Sequence, residues 1–343
     1  MKVAIIGSTG TGKSTLFRIL TGVEGGRQRG YTSGVGVAEI EEPRLYRIAE
    51  LHNSKKITRP HVELYDFDGF GRLWKEEKAG EIQNQLPGFD ALIHVVGGFP
   101  PHDPVSDFEE IDTRLILSDL AVTEKAIKRL EKEVKAHKVD RTVLDALRKI
   151  EAGLSEGKGV SDIELSETEK RAVRGFGFLT ALPRVVVINV DEDRIGQHIP
   201  EIEQVMANRS MEYIYASLPV EEEIWQLLPE ERPELLEAYG LEEPLPSRLF
   251  RAILKALDYI TFFTAGEKEA RAWLLKRGST ASQAAGKIHS DMEKGFIRAE
   301  VYHYDDLLKY GSEKALKEKG LARLEGRDYV VKDGDILFIR FSR

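Results

Sequence analysis

Gly7-Ser8-Thr9-Gly10-Thr11-Gly12-Lys13-Ser14-Thr15, near the start of the chain, carries the pattern G-x-x-x-x-G-K-[ST]. That spacing builds a loop that holds a polyphosphate. Glycines let the backbone wrap closely enough to aim N–H groups at phosphate oxygens. Lys13 adds a mobile cation for the outer phosphates, and the start of the following helix adds partial positive charge. The Ser14 hydroxyl is suited to Mg²⁺, the expected cofactor. A glycine turn between strand and helix is also a common tight connection, but Lys-Ser in this register argues against that bland reading. The apolar run Val3–Ile6 before the loop and the pattern Leu16, Phe17, Ile19, Leu20 after it supply the strand and helix that the motif needs. The expected ligand is a nucleoside triphosphate.

Two further segments fit around such a ligand. His61-Val62-Glu63-Leu64-Tyr65 alternates like a strand and runs into Asp66-Phe67-Asp68-Gly69. D-x-x-G at a strand end places an Asp in the Mg²⁺ shell and a Gly amide near the γ-phosphate. Asp66 with Gly69 is the preferred register because Asp66 ends the strand; Asp68-Gly69-Phe70-Gly71 also satisfies the pattern. Phe70 takes the place where Ras-type enzymes use a Gln to orient water, so no side chain is nominated for that task. Arg184–Asn189 is a second strand, ending in Asn189-Val190-Asp191-Glu192. Guanine-reading proteins carry N-K-x-D there, the Asp accepting from N1–H and the 2-amino group. Val190 removes the lysine stem and Glu192 displaces the carboxylate by a methylene, which relaxes the repulsion of adenine N1. Asn189 has the groups to pair with adenine N6 and N7. Ala216-Ser217-Leu218 falls where a third base-contacting loop belongs, with Ser217 and Leu218 against the base.

The elements that must position these residues form an α/β pattern. Strand-like runs recur at Lys2–Ile6, Val35–Ile40, His61–Asp66, Ala91–Val96, Arg184–Asn189 and Glu212–Ala216, several of them continuous Val/Ile runs of the kind buried on both faces. Helical patterns between them predict a largely parallel sheet, whose ligands sit beyond the carboxyl ends of the strands. Residues 119–180 interrupt this order with charged helices, including a stripe at Leu120, Ile127, Leu130 and Val134 and a capped restart at Ser166–Glu169. They read as an inserted helical hairpin, although long solvated crossover helices give the same pattern. After Pro244-Leu245-Pro246 a smaller α+β module follows, with short strands expected at Ile297–Tyr302, Tyr329–Lys332 and Ile336–Phe341.

Composition bounds the rest. The 343 residues are 41% hydrophobic, enough for two or three domains, and contain no cysteine, which excludes disulfides and thiol chemistry. No apolar run approaches a membrane span and the first strand begins at Lys2, so a cytoplasmic protein is expected. Residues 259–343 hold 16 Lys/Arg against 13 Asp/Glu, a balance of +3, leaving −11 on the rest of a chain whose net charge is −8. That asymmetry allows a nucleic-acid partner for the basic end; an ordinary solvated surface explains it equally.

The chain resembles the YchF / Obg-like ATPase family of P-loop nucleotidases. The resemblance rests on the phosphate loop, on D-x-x-G with apolar Phe70 in the Gln position and on N-x-x-E. It rests also on four blocks: Thr261–Trp273, Ala284–Asp291, Lys294–Glu300 and Glu325–Asp335. It covers nearly the whole chain. It implies a Ras-like nucleotide domain (1–118 with 181–258), an inserted helical arm (119–180) and a C-terminal β-grasp-like TGS domain (259–343). It also implies ATP favoured over GTP, and ribosome or RNA contact through the last domain. There are departures. The family's loop Asn, which can help bind potassium, is replaced by Gly10, and the first switch is shortened to Arg27–Gly34, leaving Thr32 as the nearest candidate for the metal-binding threonine, a plain loop threonine fitting the position equally. Two functions stay in competition: a slow ATPase switch, or a nucleotide-gated ribosome- or RNA-binding module with negligible turnover. A GTP-binding protein is the further alternative, and a small-molecule kinase finds no residues for an acceptor pocket or lid.

Overall fold

The structure is a computed structural model and describes residues 1–22, 32–67, 88–135 and 141–342. The chain divides into two compact units, Met1–Ala38 with Glu63–Ile253, and Glu39–Val62 with Leu254–Arg343.

The first unit is built on a six-stranded sheet in the order β2-β4-β1-β5-β6-β7. Its strands are β1 (Lys2–Gly7), β2 (Thr32–Glu39), β4 (His61–Phe67), β5 (Ala91–Gly97), β6 (Arg184–Asn189) and β7 (Glu212–Ala216). β1 runs parallel to β4 and β5, and β5, β6 and β7 continue parallel. All six coincide with strand-like runs of the sequence, β2 starting and ending earlier than the expected Val35–Ile40. β5 is buried along its whole length, as a central strand covered on both faces must be. The register brings the carboxyl ends together: Ile5 lies opposite Asp66, Gly7 opposite Val95, Gly97 opposite Asn189, and Asn189 opposite Ala216. Helix α1 (Lys13–Thr21) follows β1, and α2 (Pro43–Leu51) belongs to the second unit.

Helix α3 (Pro104–Lys135) has two environments. Its first turns bury Phe108, Ile111 and Leu115 against the sheet. Farther on, Ile127 and Leu130 enter a separate core with Leu147, Ile150 and Leu154 of α4 (Arg141–Ser155) and Val173 of α5 (Glu167–Val173). Ser166 and Glu169 form the expected capping box at α5. Asp119 is fully buried where the two environments meet, accepting from Leu179 N (2.9 Å), Thr180 N (2.8 Å) and Thr180 Oγ1 (2.6 Å). Helices α6 (Pro200–Asn208), α7 (Leu218–Gln226), α8 (Arg232–Ala238) and α9 (Leu245–Ala256) complete the order up to the second unit.

The second unit has a mixed sheet in the order β11-β10-β12-β8-β9-β3. Its strands are β3 (Ile57–Thr58), β8 (Tyr259–Thr264), β9 (Ala270–Lys276), β10 (Phe296–His303), β11 (Arg323–Glu325) and β12 (Asp335–Phe341). Side chains alternate across it: Phe262 packs with Ala281 and Ala284 of α10 (Ala281–Ile288), whereas Phe263 packs with Leu45 and Ile48 of α2. The segment 39–62 therefore supplies a strand and a helix to the C-terminal unit. Tyr329–Lys332 is not the strand its composition predicts; Val330 makes a single bridge to Thr280. Asp335 takes hydrogen bonds from Tyr329 Oη and Lys332 N, each at 2.8 Å, which hold that segment as a turn against β12.

Candidate nucleotide-binding site

The phosphate loop leaves β1 at Gly7 and enters α1 through Gly12, which adopts φ +103°. A Cβ at Gly12 would lie 2.6 Å from Leu218 and 2.8 Å from the Asn189 amide, so both its conformation and its surroundings require glycine. Thr11 is buried and its hydroxyl donates to Ser8 O at 3.0 Å. Lys13 Nζ donates to the same carbonyl at 2.7 Å, curling the loop around its own cation. Thr9, Gly10 and Ser14 are exposed, Ser8 and Thr15 half-buried. Ser8 Oγ donates to Glu110 of α3 at 2.5 Å. Ser14 Oγ donates to Asp66 Oδ2 at 2.9 Å, and Asp66 is 1% exposed at the end of β4. The sheet thus brings together the hydroxyl and the carboxylate read as the metal pair. Gly69 and Phe70 lie outside the described residues; Thr32 starts β2, its side chain also outside them.

Asn189 is the joint of the site. Its Nδ2 donates to Thr11 O and its Oδ1 accepts from Leu218 N, both at 3.0 Å. One amide therefore ties the phosphate loop to the turn after β7. The sequence assigns that amide to the base; the protein takes one of its hydrogens and one of its lone pairs, leaving one of each. Val190 is 2% exposed, packed with Val96, Phe108 and Ile202, and its N–H donates to Ala216 O at 2.9 Å. Glu192 accepts from Tyr239 Oη at 2.9 Å. Ser217 and Leu218 are buried at the start of α7.

His102 is a residue that sequence reasoning missed. It lies in the loop after β5, and its Nε2 would stand 3.1 Å from a Cβ on Gly10. Its Nδ1 is 3.0 Å from Asp107 Oδ2, and that oxygen also accepts from Gly97 N at 2.9 Å. Nδ1 is thus the nitrogen engaged by Asp107, and Nε2 is the one that faces the phosphate loop. The available signal was a histidine followed five residues on by an aspartate, beyond the carboxyl end of a central strand. His94, inside β5, differs: it is fully buried, stacked on Phe108, and burial, then Arg184 and Lys13, hold its pKa well below the usual value, so it is neutral.

Among the described residues no helix is long and apolar enough to cross a membrane. Residues 259–342 match the model of the C-terminal YchF-GTPase family, described as a protein of unknown function (DUF933). The chain is 36% identical over 359 residues to the ribosome-binding ATPase YchF of Haemophilus ducreyi, covering 99% of both chains. It is 35% identical over 363 residues to that of Bacillus subtilis, covering 100% of this chain and 99% of the relative. A solved YchF GTPase from Schizosaccharomyces pombe superposes with a TM-score of 0.82 at 25% identity, covering 99% of this chain and 97% of the other. The likeness runs through the nucleotide unit and the C-terminal unit alike, and the chain belongs to the YchF family.

Proposed function

We propose that this is a cytoplasmic nucleoside triphosphatase that binds ATP in preference to GTP, uses Mg²⁺ and works on the ribosome. The observation that carries the nucleotide reading is the meeting of the phosphate loop, the Ser14–Asp66 pair and the Asn189 joint at the carboxyl ends of one parallel sheet. Ser14 and Asp66 suit Mg²⁺, which takes few protein ligands and fills its shell with water and phosphate oxygens. When bound, the ion supplies charge that offsets the phosphates; Lys13 and the loop amides orient them, and His102 Nε2 is the group placed to orient or deprotonate an attacking water. The preference for ATP rests on Glu192, whose carboxylate is held by Tyr239, and on Val190, whose side chain is in the core. The ribosome enters through the relatives, which carry it in their names.

Calorimetry with ATP and GTP at matched Mg²⁺ tests the base assignment. ATP should bind more tightly, by about tenfold or some 1.4 kcal/mol, and Lys13→Ala should weaken both. GTP binding more tightly by that factor would show that the base pocket is misread.

A further inference from the structure

The outer side of the phosphate loop meets helix α3. Phe108, Ile111 and Leu115 are each at most 1% exposed against the sheet, so the first turns of that helix are anchored independently of the loop. Beside them Asp107 and Glu110, three residues apart, share one face of the helix. Asp107 reaches the loop through His102, whose Nε2 faces Gly10. Glu110 reaches it directly, its Oε2 accepting from Ser8 Oγ at 2.5 Å.

Ser8 carries more than that one bond. Its carbonyl accepts from Lys13 Nζ at 2.7 Å and from Thr11 Oγ1 at 3.0 Å. The residue is therefore held at its hydroxyl by α3 while its carbonyl holds the loop's own cation. An ammonium has three donors, so Lys13 can keep that carbonyl and still reach a phosphate. A carboxylate so close to a polyphosphate site needs its charge offset, and Arg114, one turn on, pairs with Glu110 Oε1. The Glu110 side chain is itself 43% exposed. Substitutions at such positions scarcely alter stability, so the consequence of the contact falls on the loop.

We propose that Glu110 is a positioning residue for phosphate binding, with Arg114 as its charge partner. Through the Ser8 hydroxyl it fixes the Ser8 peptide against α3, so that Lys13 is already presented to the phosphates when nucleotide arrives. Preorganisation of this kind lowers the ordering cost of binding. That role rests on the nucleotide reading above and adds to the site a residue outside every motif that carries it.

Substitutions of equal charge isolate the contact. Glu110→Gln removes the charge but keeps an oxygen that accepts from Ser8, whereas Glu110→Leu and Glu110→Ala remove both. Mg-ATP affinity is measured by calorimetry in the full chain, with the denaturation midpoint as the check of folding; either of the last two, once folded, decides. Each should bind Mg-ATP roughly fivefold more weakly than Glu110→Gln, at a similar midpoint. In a Ser8→Ala background all three should bind alike, because the oxygen then has no hydroxyl to hold. Equal affinities with Ser8 in place overturn the proposal, as does a gap that persists without the Ser8 hydroxyl. A wild-type chain that binds no Mg-ATP would instead refute the nucleotide reading itself, and this role with it.

Discussion

An imidazole 16% exposed, held by a carboxylate that is itself fixed by a backbone N–H, has little freedom except at its far nitrogen. In His102 that nitrogen faces Gly10, on the exposed side of the phosphate loop. General bases contribute about 10²–10⁴ to a rate, and positioning losses fall in the same range. His102→Ala should therefore lower multiple-turnover phosphate release by roughly a hundredfold, with Mg-ATP affinity nearly unchanged. Asp107→Asn should give a smaller loss through the wrong tautomer. If His102→Ala turns over like the wild type, the water is placed by other groups and the pairing with Asp107 is only structural. At this scale the sequence disclosed whatever a short motif encodes: the phosphate loop, and Asp66 at a strand end. It did not disclose His102, because a lone histidine in a loop means nothing until the sheet order sets β5 beside β1. Nor did it disclose how much of the Asn189 amide the protein uses, since Thr11 and Leu218 lie far from it in sequence.

Burial explains only part of what was readable among the elements: β7 is read from the sequence although Ala216 is its one buried residue, while β8, buried at four of six positions, is not. β1, β5 and β6 are continuous apolar runs and were found within a residue of their ends. In the second unit β9 interleaves buried and half-buried positions, and β3 is two residues long, so neither rises above its surroundings in composition. Helix α3 shows what binds one element to another. Asp119 accepts three hydrogen bonds from Leu179 and Thr180, and Thr180 Oγ1 in turn accepts from Val160 N at 2.8 Å, so one carboxylate fixes the chain's return toward β6. Replacing it leaves buried donors unpaired, at about 1–3 kcal/mol for each group. Asp119→Ala should cost the first unit roughly 4 kcal/mol and Asp119→Asn about half that, read as shifts of the denaturation midpoint. A loss below about 1 kcal/mol in Asp119→Ala would mean that water replaces the carboxylate and the joint is not fixed there.

The second unit cannot be cut away at one point. Its sheet takes β3, and its core takes Leu45 and Ile48, from residues before β4, while its remaining strands follow α9. A chain ending at residue 257 would keep α2 without Phe263, Tyr302 and Ile336 to cover it, exposing apolar surface whatever the unit binds. Local charge and composition cannot reveal such a division, because the two stretches are some two hundred residues apart. Ribosome association is therefore tested in the intact chain. Lys294 and Arg298 are exposed on this unit, which is net basic while the rest of the chain is acidic, and Phe338 is 59% exposed on β12. Exposed cations and an exposed ring on one unit suit RNA, through phosphates and stacked bases. Lys294→Glu with Arg298→Glu should lower co-sedimentation with ribosomes by roughly tenfold or more near physiological salt and flatten its salt dependence by about two contacts' worth. Phe338→Ala should weaken it with the salt dependence unchanged, since stacking releases no counterions. ATP affinity should hold in all three substitutions. Co-sedimentation equal to the wild type in both variants would move the contact off this surface, while leaving the nucleotide site as described.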